Sequence, residues 1–225
     1  MEVFMGSSII LIIVLALIVT FVSLFTFRFI PHSWVCDYNS SIKTLSPYKH
    51  IYKLVIVFTF ILSILFFSLI LNNKTSLLNI FCDIILLIVL LQICISDLLY
   101  KIIPDQHIIA IGLLSLYEVS QNYVGFHIKG VLAGILPFLL LLVFSALVQG
   151  TELIGFGDIK LMAVLGFYVG TIKIFYIYIL TGLLSGIFSF FLLLFAIIGK
   201  FHQCPHYISL APFICFSFIL INFFV

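Results

Sequence analysis

Long apolar runs, separated by short polar segments, make up most of the chain. A helix that crosses about 30 Å of hydrocarbon at about 1.5 Å per residue needs about 20 mainly apolar residues. Five runs are clear, and they cover Ser8–Phe29, Leu54–Leu71, Leu77–Ser96, Val131–Val148 and Ile174–Ile198. Three weaker runs cover His107–Val124, Ile159–Ile172 and Leu210–Phe224. The pattern therefore predicts an all-α protein with about eight transmembrane helices.

The composition agrees with a membrane protein. Of 225 residues, 64% are hydrophobic and only 8% are charged, whereas a soluble domain has about a quarter of its residues charged. An ordinary soluble protein is therefore excluded, and we expect one membrane domain over residues 1–225 in contact with the lipid bilayer. The formal net charge of +2 provides no basic surface of the kind that binds nucleic acid.

The basic residues indicate the orientation of the chain in the membrane. If the segment between the first two runs is cytoplasmic, seven Lys and Arg residues lie inside and three lie outside. Cytoplasmic loops carry an excess of these residues, so this arrangement is favoured. The inside residues are Arg28, Lys43, Lys49, Lys53, Lys101, Lys160 and Lys200, and the outside residues are Lys74, Lys129 and Lys173.

Each carboxylate near an apolar run needs an explanation, because a charge at the centre of a membrane helix costs about 2.5 to 3.5 kcal/mol. Asp83 and Glu118 lie inside such runs, and we interpret them as protonated or partnered groups in helix packing. Glu152 lies in an inside loop, and we interpret it as solvated. The candidates for chemistry are then Asp97, Asp105 and Asp158.

Two of these aspartates flank a short loop on the predicted inner face. Asp97 ends the third run, and Pro104-Asp105 follows after six intervening residues. Pro104 disfavours helix at the preceding residue, so we expect a turn there. Asp105 also suits a simple role as the cap of the next helix. Asp97 fits that role poorly, because a carboxylate at the carboxyl end of a helix meets the unfavourable end of the helix dipole.

The third aspartate, Asp158, lies in the motif Gly155–Lys160, with the sequence GFGDIK, on the same predicted face. Two glycines at alternate positions allow positive φ angles and the close approach of another chain. Such a motif is able to set a carboxylate at the edge of a membrane cavity. Taken alone, the motif is also typical of a glycine-rich turn in which Asp158 caps the next helix.

Asp97 and Asp158 together are a stronger signal than either residue alone. Both lie at the inner ends of different helices, so we expect their carboxyl groups at the same depth. Acid–base hydrolysis of a peptide needs such a pair, since an ionised carboxylate takes a proton from water while a protonated partner polarises the scissile carbonyl. A shared proton also removes the cost of holding two charges beside lipid. Neither a G-x-S-x-G nor an H-E-x-x-H motif offers a rival site.

The two motifs resemble those of a known family. Asp97, six residues, and Pro104-Asp105, followed by GFGDIK, are similar to the type IV prepilin leader peptidases, polytopic membrane aspartic proteases of the GxGD class. The resemblance covers most of residues 91–170, which form the expected peptidase core. It implies that Asp97 and Asp158 are the catalytic aspartates. It also implies supporting or loop-shaping roles for Asp105, Gly155, Gly157 and Lys160.

The resemblance further implies the substrate and the location. Members of the family cleave prepilins and pseudopilins of pili, type II secretion or DNA-uptake machines. Cleavage removes a short basic leader on the cytoplasmic side of the bacterial inner membrane, just before an apolar segment that stays in the membrane. The predicted cytoplasmic placement of both aspartates suits this reaction.

One departure from the family concerns the first inside loop, over residues 30–53. Many members carry two Cys-x-x-Cys pairs there, associated with a zinc site and with methylation of the new pilin amino terminus. This loop has only Cys36, with His32 and His50 nearby, which are too few ligands to close a zinc site. We therefore expect no bound metal, no cofactor and no methyl transfer. A second group of possible zinc ligands lies near the end of the chain, and we interpret it as a polar loop. It consists of His202, Cys204 and His206.

Two other functions agree with the same residues. One is a different GxGD protease, such as an archaeal preflagellin peptidase; an intramembrane protease of presenilin type is disfavoured by the spacing of Asp97 and Asp105. The other is a transporter or channel whose buried carboxylates carry protons or cations. Transporters usually place such groups near the membrane midplane and often contain inverted repeats. Here the carboxylates lie at one predicted interface, and no repeat is visible in the sequence.

Overall fold

The computed structural model describes residues 2–31, 49–70, 77–149, 154–197 and 208–224. Within these ranges the regular structure is entirely α-helical, which confirms the predicted fold class. The helices there are α1 (Glu2–Phe27), α2 (Lys49–Ile70), α3 (Leu77–Tyr100), α4 (Asp105–Gln121), α5 (Val124–Gln149), α6 (Phe156–Ile197) and α7 (Ala211–Phe224).

The lengths of these helices show a protein that crosses the membrane several times. Five of the helices in the described ranges, α1, α2, α3, α5 and α6, are long and apolar enough to span a bilayer. Helix α4 has 17 residues and helix α7 has 14, which is short for a span. The predicted polytopic membrane architecture is therefore confirmed, whereas the count of eight spans stays a prediction.

Helix α6 combines two of the predicted spans, those over 159–172 and 174–198. Its backbone leaves helical geometry at Gly170, with φ 79° and ψ −174°. The boundary between the two helical segments is therefore at Gly170, three residues before the predicted boundary at Lys173. A Cβ atom at position 170 would lie 1.8 Å from the ring of Phe126. Glycine is required here both by this contact and by the positive φ.

Helix α3 is the most buried of the candidate spans. Most of its side chains from Leu86 to Ile95 are buried, and the helix contacts α1, α2, α4 and α7. Helix α6 packs in turn against α4, α5 and α7. By contrast, α1, α5 and the second half of α6 expose large apolar side chains, for example Phe21, Leu140 and Phe190. An apolar surface of this extent is expected to face lipid.

Helices α5 and α6 approach each other closely at glycines. A Cβ atom at Gly130 would lie 2.1 Å from the carbonyl oxygen of Gly166, and one at Gly134 would lie 2.3 Å from that of Met162. The two backbones are therefore in direct contact, as small residues allow in membrane helix pairs. This contact fixes the first segment of α6, which carries Asp158, against the rest of the bundle.

The two carboxylates inside apolar helices are partnered. The hydroxyl group of Tyr168 lies 3.3 Å from an oxygen of Asp83 and 3.3 Å from an oxygen of Glu118. Asp83 and Tyr168 are both buried. The three residues connect α3, α4 and α6, so the interpretation of Asp83 and Glu118 as partnered groups in helix packing is confirmed.

Some features predicted from the sequence lie outside the described ranges. They are the loop thiol Cys36 with its neighbour His32, the solvated Glu152, and the polar loop with His202, Cys204 and His206. The backbone of His50 lies in the first turn of α2.

Candidate active site

The last turn of α3 and the first turns of α4, α6 and α7 meet at one end of the bundle. Helix α3 ends at Tyr100, and Lys101 follows in the left-handed conformation with φ 57°. The N–H of Lys101 donates to the carbonyl oxygen of Asp97 at 2.9 Å. Pro104 is extended, with φ −67° and ψ 132°, and α4 begins at Asp105. The turn expected between Asp97 and Asp105 is therefore present.

Asp97 is buried and hydrogen-bonded to the beginning of α7. Its side chain is 6% exposed, and its Oδ2 atom accepts a hydrogen bond of 3.1 Å from the N–H of Ala211. The hydroxyl group of Ser209 donates to the carbonyl oxygen of Asp97 at 3.0 Å. The charge of Lys101 also interacts with this carboxylate. These partners explain how an aspartate is retained in the last turn of a helix, where the dipole disfavours it.

Asp158 lies in the first turn of α6 and is less well satisfied. Its N–H donates to the carbonyl oxygen of Gly155 at 3.1 Å, which closes the turn of the GFGD motif. Its Oδ1 atom is buried and has no hydrogen-bond partner. A Cβ atom at position 155 would lie 3.2 Å from its Oδ2 atom, so glycine leaves the room that this carboxylate occupies. Asp158 therefore does not cap α6 through Oδ1, which is left available at the site.

The structure brings Asp97 and Asp158 into electrostatic range of each other. The loops that carry them are also packed together, because a Cβ atom at Gly157 would lie 3.2 Å from the Cβ atom of Ile103. Ile103 belongs to the loop between Asp97 and Asp105. The two sequence motifs thus form one site, with two carboxyl groups from two different helices.

An ion pair joins the same two motifs on their exposed side. The Nζ atom of Lys160 lies 2.7 Å from Oδ1 of Asp105 and 5.2 Å from the centre of the Phe156 ring. The first turn of α4 has Pro104 as its cap residue and no capping hydrogen bond from a side chain. Asp105 therefore connects α4 to α6, and the alternative that it only caps α4 is wrong.

A buried polar network beside the site was not predicted from the sequence. The Nε2 atom of His107 lies 2.9 Å from Oε1 of Gln92, and Nε2 of Gln92 donates to Oγ1 of Thr26 at 2.8 Å. His107 is buried, so this network fixes α4 against α3 and α1. The only sequence signal was a polar residue, Gln92, in an apolar run five residues before Asp97.

The contact between Asp97 and α7 was not predicted either. It uses the backbone N–H of Ala211, which has no side-chain signature. Among the residues that the structure describes, no three His, Cys, Asp or Glu side chains converge as metal ligands do. The site is therefore described by its two aspartates and the groups that hold them.

The fold and the site define a polytopic helical membrane protein with two acidic motifs joined at one end of its bundle. Residues 84–194 match the type IV leader peptidase family, which confirms the family that the two motifs resemble. The matched stretch runs from α3 to the second segment of α6, and it contains both aspartates. No curated protein and no solved structure matches the chain.

Proposed function

We propose that the protein is an aspartic endopeptidase that removes the basic leader from type IV prepilin-like or pseudopilin precursors on the cytoplasmic side of the bacterial inner membrane. The observation that carries the proposal is the packing of the two acidic motifs against each other, with Gly157 against Ile103, which brings Asp97 in the last turn of α3 and Asp158 in the first turn of α6 into electrostatic range. The family match over residues 84–194 supports a leader peptidase. Two neighbouring carboxyl groups are the minimum that acid–base hydrolysis of a peptide requires.

The proposed chemistry uses one proton on the pair. The ionised carboxylate takes a proton from a water molecule, and the water oxygen attacks the carbonyl carbon of the scissile peptide. The protonated carboxyl group transfers its proton to the carbonyl oxygen. As the tetrahedral intermediate collapses, the first carboxyl group protonates the departing nitrogen and the second recovers its proton from the hydroxyl group. The pair therefore ends in its starting state.

The position of the site suits a substrate that is part leader and part membrane helix. Asp97 and Asp158 lie at helix ends, next to a bundle with apolar side chains on its outer surface. A precursor whose apolar segment lies in the bilayer would present the peptide bond just before that segment at this depth. The basic residues at this end of the bundle include Lys101 and Lys160, which favours the cytoplasmic side.

Four residues support the two aspartates in this proposal. Gly155 leaves room for the Asp158 carboxylate, and Gly157 allows the GFGD turn to lie against Ile103. Asp105 and Lys160 form the ion pair that joins the two motifs. Their role is to set the distance between the carboxyl groups, and a displacement of about 1 Å at such a site is able to cost about 100-fold in rate.

The test is cleavage of a co-expressed prepilin by variants of each aspartate. We expect Asp97→Asn and Asp158→Asn each to abolish leader removal, because an amide can neither accept the proton from water nor donate a carboxyl proton. Asp83→Asn is the matched control, since Asp83 lies in the same helix as Asp97 but outside the site, and we expect it to cleave. Wild-type cleavage by either site variant would reject the pair.

A further inference from the structure

The beginning of α7 is built into the surroundings of Asp97. Leu210 is the cap of this helix, because its carbonyl oxygen accepts from the N–H groups of Phe213 and Ile214 at 3.0 and 3.1 Å. Ala211 is therefore the first helical residue, and its N–H has no partner within the helix. Ala211 is fully buried, and this N–H donates instead to Oδ2 of Asp97 at 3.1 Å.

The two carboxyl groups of the site are not equivalent. Asp97 receives the N–H of Ala211 and lies at the positive end of the α7 dipole, both of which favour a carboxylate that is ionised. Asp158 also lies in the first turn of a helix, and its carboxyl group interacts with the backbone N–H of Gly155. The difference is that its Oδ1 atom is buried and receives no hydrogen bond. A protonated carboxyl group is the form that tolerates such a position and is able to donate a hydrogen bond from it.

We propose that the N-terminus of α7 is a third component of the catalytic site, which holds Asp97 as the ionised carboxylate and leaves Asp158 as the protonated partner. Asp97 then takes the proton from water, and Asp158 gives its proton to the carbonyl oxygen of the substrate. Ser209 and Ala211 are positioning residues for Asp97. This inference rests on the proposed function, and it concerns a helix outside the stretch 84–194 that matches the family.

The protonation state is tested by infrared difference spectroscopy on purified protein without substrate. A protonated carboxyl group gives a C=O stretching band that an ionised carboxylate lacks, and the band shifts in deuterium oxide. We expect Asp158→Asn to lose one such band and Asp97→Asn to keep it. Loss of the band in Asp97→Asn but not in Asp158→Asn would overturn the assignment, and so would the same spectrum from both variants.

The positioning role is tested by kinetics. Ala211→Pro removes the N–H, and proline is well accepted at the first position of a helix. We expect kcat for a prepilin peptide to fall by about 10- to 100-fold with KM little changed. Ala211→Gly keeps the N–H, and we expect it to retain most of the activity. An Ala211→Pro protein with the kcat of Ala211→Gly would contradict the proposal.

Ser209 gives a second test that does not depend on a proline. Ser209→Ala removes the hydrogen bond to the Asp97 carbonyl oxygen, and we expect kcat to fall by about 3- to 10-fold. Ser209→Thr keeps a hydroxyl group and should restore it, whereas equal kcat values for the two variants would contradict a positioning role. Different results would contradict the two proposals. Cleavage by Asp97→Asn or Asp158→Asn would contradict the proposed function. Infrared spectra that assign the protonated carboxyl group to Asp97, or that are the same for both variants, would contradict this inference only.

Discussion

The ammonium group of Lys160 lies 2.7 Å from the Oδ1 atom of Asp105, across 55 residues of sequence. Asp105 is the first residue of α4, and Lys160 lies in the second turn of α6. Each follows one of the proposed catalytic aspartates in its own motif. The ion pair therefore links the loop after Asp97 to the GFGD turn on the exposed side of the site, while the carboxyl groups of Asp97 and Asp158 are buried beside it.

Because this ion pair is exposed, we expect it to matter more for activity than for stability. The side chains of Lys160 and Asp105 are 36% and 63% exposed, and such pairs contribute about 0 to 1 kcal/mol. Lys160→Met or Asp105→Asn should lower the rate of leader removal several-fold with little change in thermal unfolding. Both quantities are measured on purified protein in detergent.

The charge-reversed protein provides the decisive comparison for this pair. Asp105→Lys combined with Lys160→Asp should recover more activity than either single reversal, because the pair is re-formed with opposite polarity. Lys129→Met serves as the control. Lys129 lies in the second turn of α5, so this substitution removes a charge that is not part of the site. Additive losses in the double variant would show that the two residues act separately.

Gly155 is predicted to be sensitive to a single methyl group. A Cβ atom at this position would lie 3.2 Å from Oδ2 of Asp158, which is a tight contact with a group of the proposed catalytic pair. Gly155→Ala should therefore displace the carboxylate and lower kcat by about 10- to 100-fold. Gly112→Ala is the control, because a Cβ atom there meets only Val164 at an ordinary 3.5 Å. Equal kcat values for the two variants would contradict the prediction.

The distribution of basic residues predicts that the site lies on the cytoplasmic side of the membrane, and cysteine labelling tests this prediction. In a background without the native cysteines, single cysteines near Lys43, Lys101 and Gly150 should react only from the cytoplasm. Cysteines near Lys74 and Lys129 should react only from outside. Labelling of the Asp97 and Asp158 loops from opposite sides would contradict a shared site.

The sequence was sufficient to predict the helices and the two motifs, but not how the motifs are held. Pro104 and the glycines of GFGDIK are local signals with a known backbone consequence, so the turn after Asp97 was predictable. The bond from Ala211 to Asp97 was not, because it comes from a backbone N–H that any residue except proline supplies. The contact between Asp83 and Tyr168 was not predictable from the sequence either, because the pairing of a tyrosine with two carboxylates depends on how three helices pack.

The break in α6 illustrates a second limit. A charged residue, Lys173, was the visible interruption of the apolar run, and the predicted boundary fell there. The actual break is at Gly170, where the ring of Phe126 excludes any side chain. Hydropathy detects where charge interrupts a helix, but it does not detect where another helix presses against the backbone.

The absence of Cys-x-x-Cys pairs between Pro31 and Tyr52 leads to a prediction about the second activity of the family. A loop with one thiol has too few soft ligands for a structural zinc site. Purified protein should therefore cleave a prepilin peptide, contain no stoichiometric zinc and transfer no methyl group from S-adenosylmethionine. Metal analysis and a labelled methyl donor are applied to the same sample. A methylated product would show that methyl transfer does not need those cysteines.

The cluster of Asp83, Glu118 and Tyr168 should support stability without supporting catalysis. Asp83 is 14 residues before Asp97 in α3, which places it about 21 Å away along the helix. Tyr168→Phe removes the hydroxyl group that lies 3.3 Å from both carboxyl groups. A buried hydrogen bond to a charged group contributes about 1.5 to 3 kcal/mol, so we expect an earlier thermal unfolding transition in detergent.

Tyr117→Phe is the matched control for this last prediction. The hydroxyl group of Tyr117 donates to Oδ1 of Asn79 at 2.7 Å, which is a neutral acceptor, so its loss should cost only about 1 kcal/mol. Both variants should cleave a prepilin peptide at the wild-type rate at temperatures where they are folded, because neither touches Asp97 or Asp158. If Tyr168→Phe unfolded no earlier than Tyr117→Phe, the two carboxyl groups would not depend on the tyrosine. If instead it remained folded but lost cleavage, the cluster would belong to the catalytic machinery.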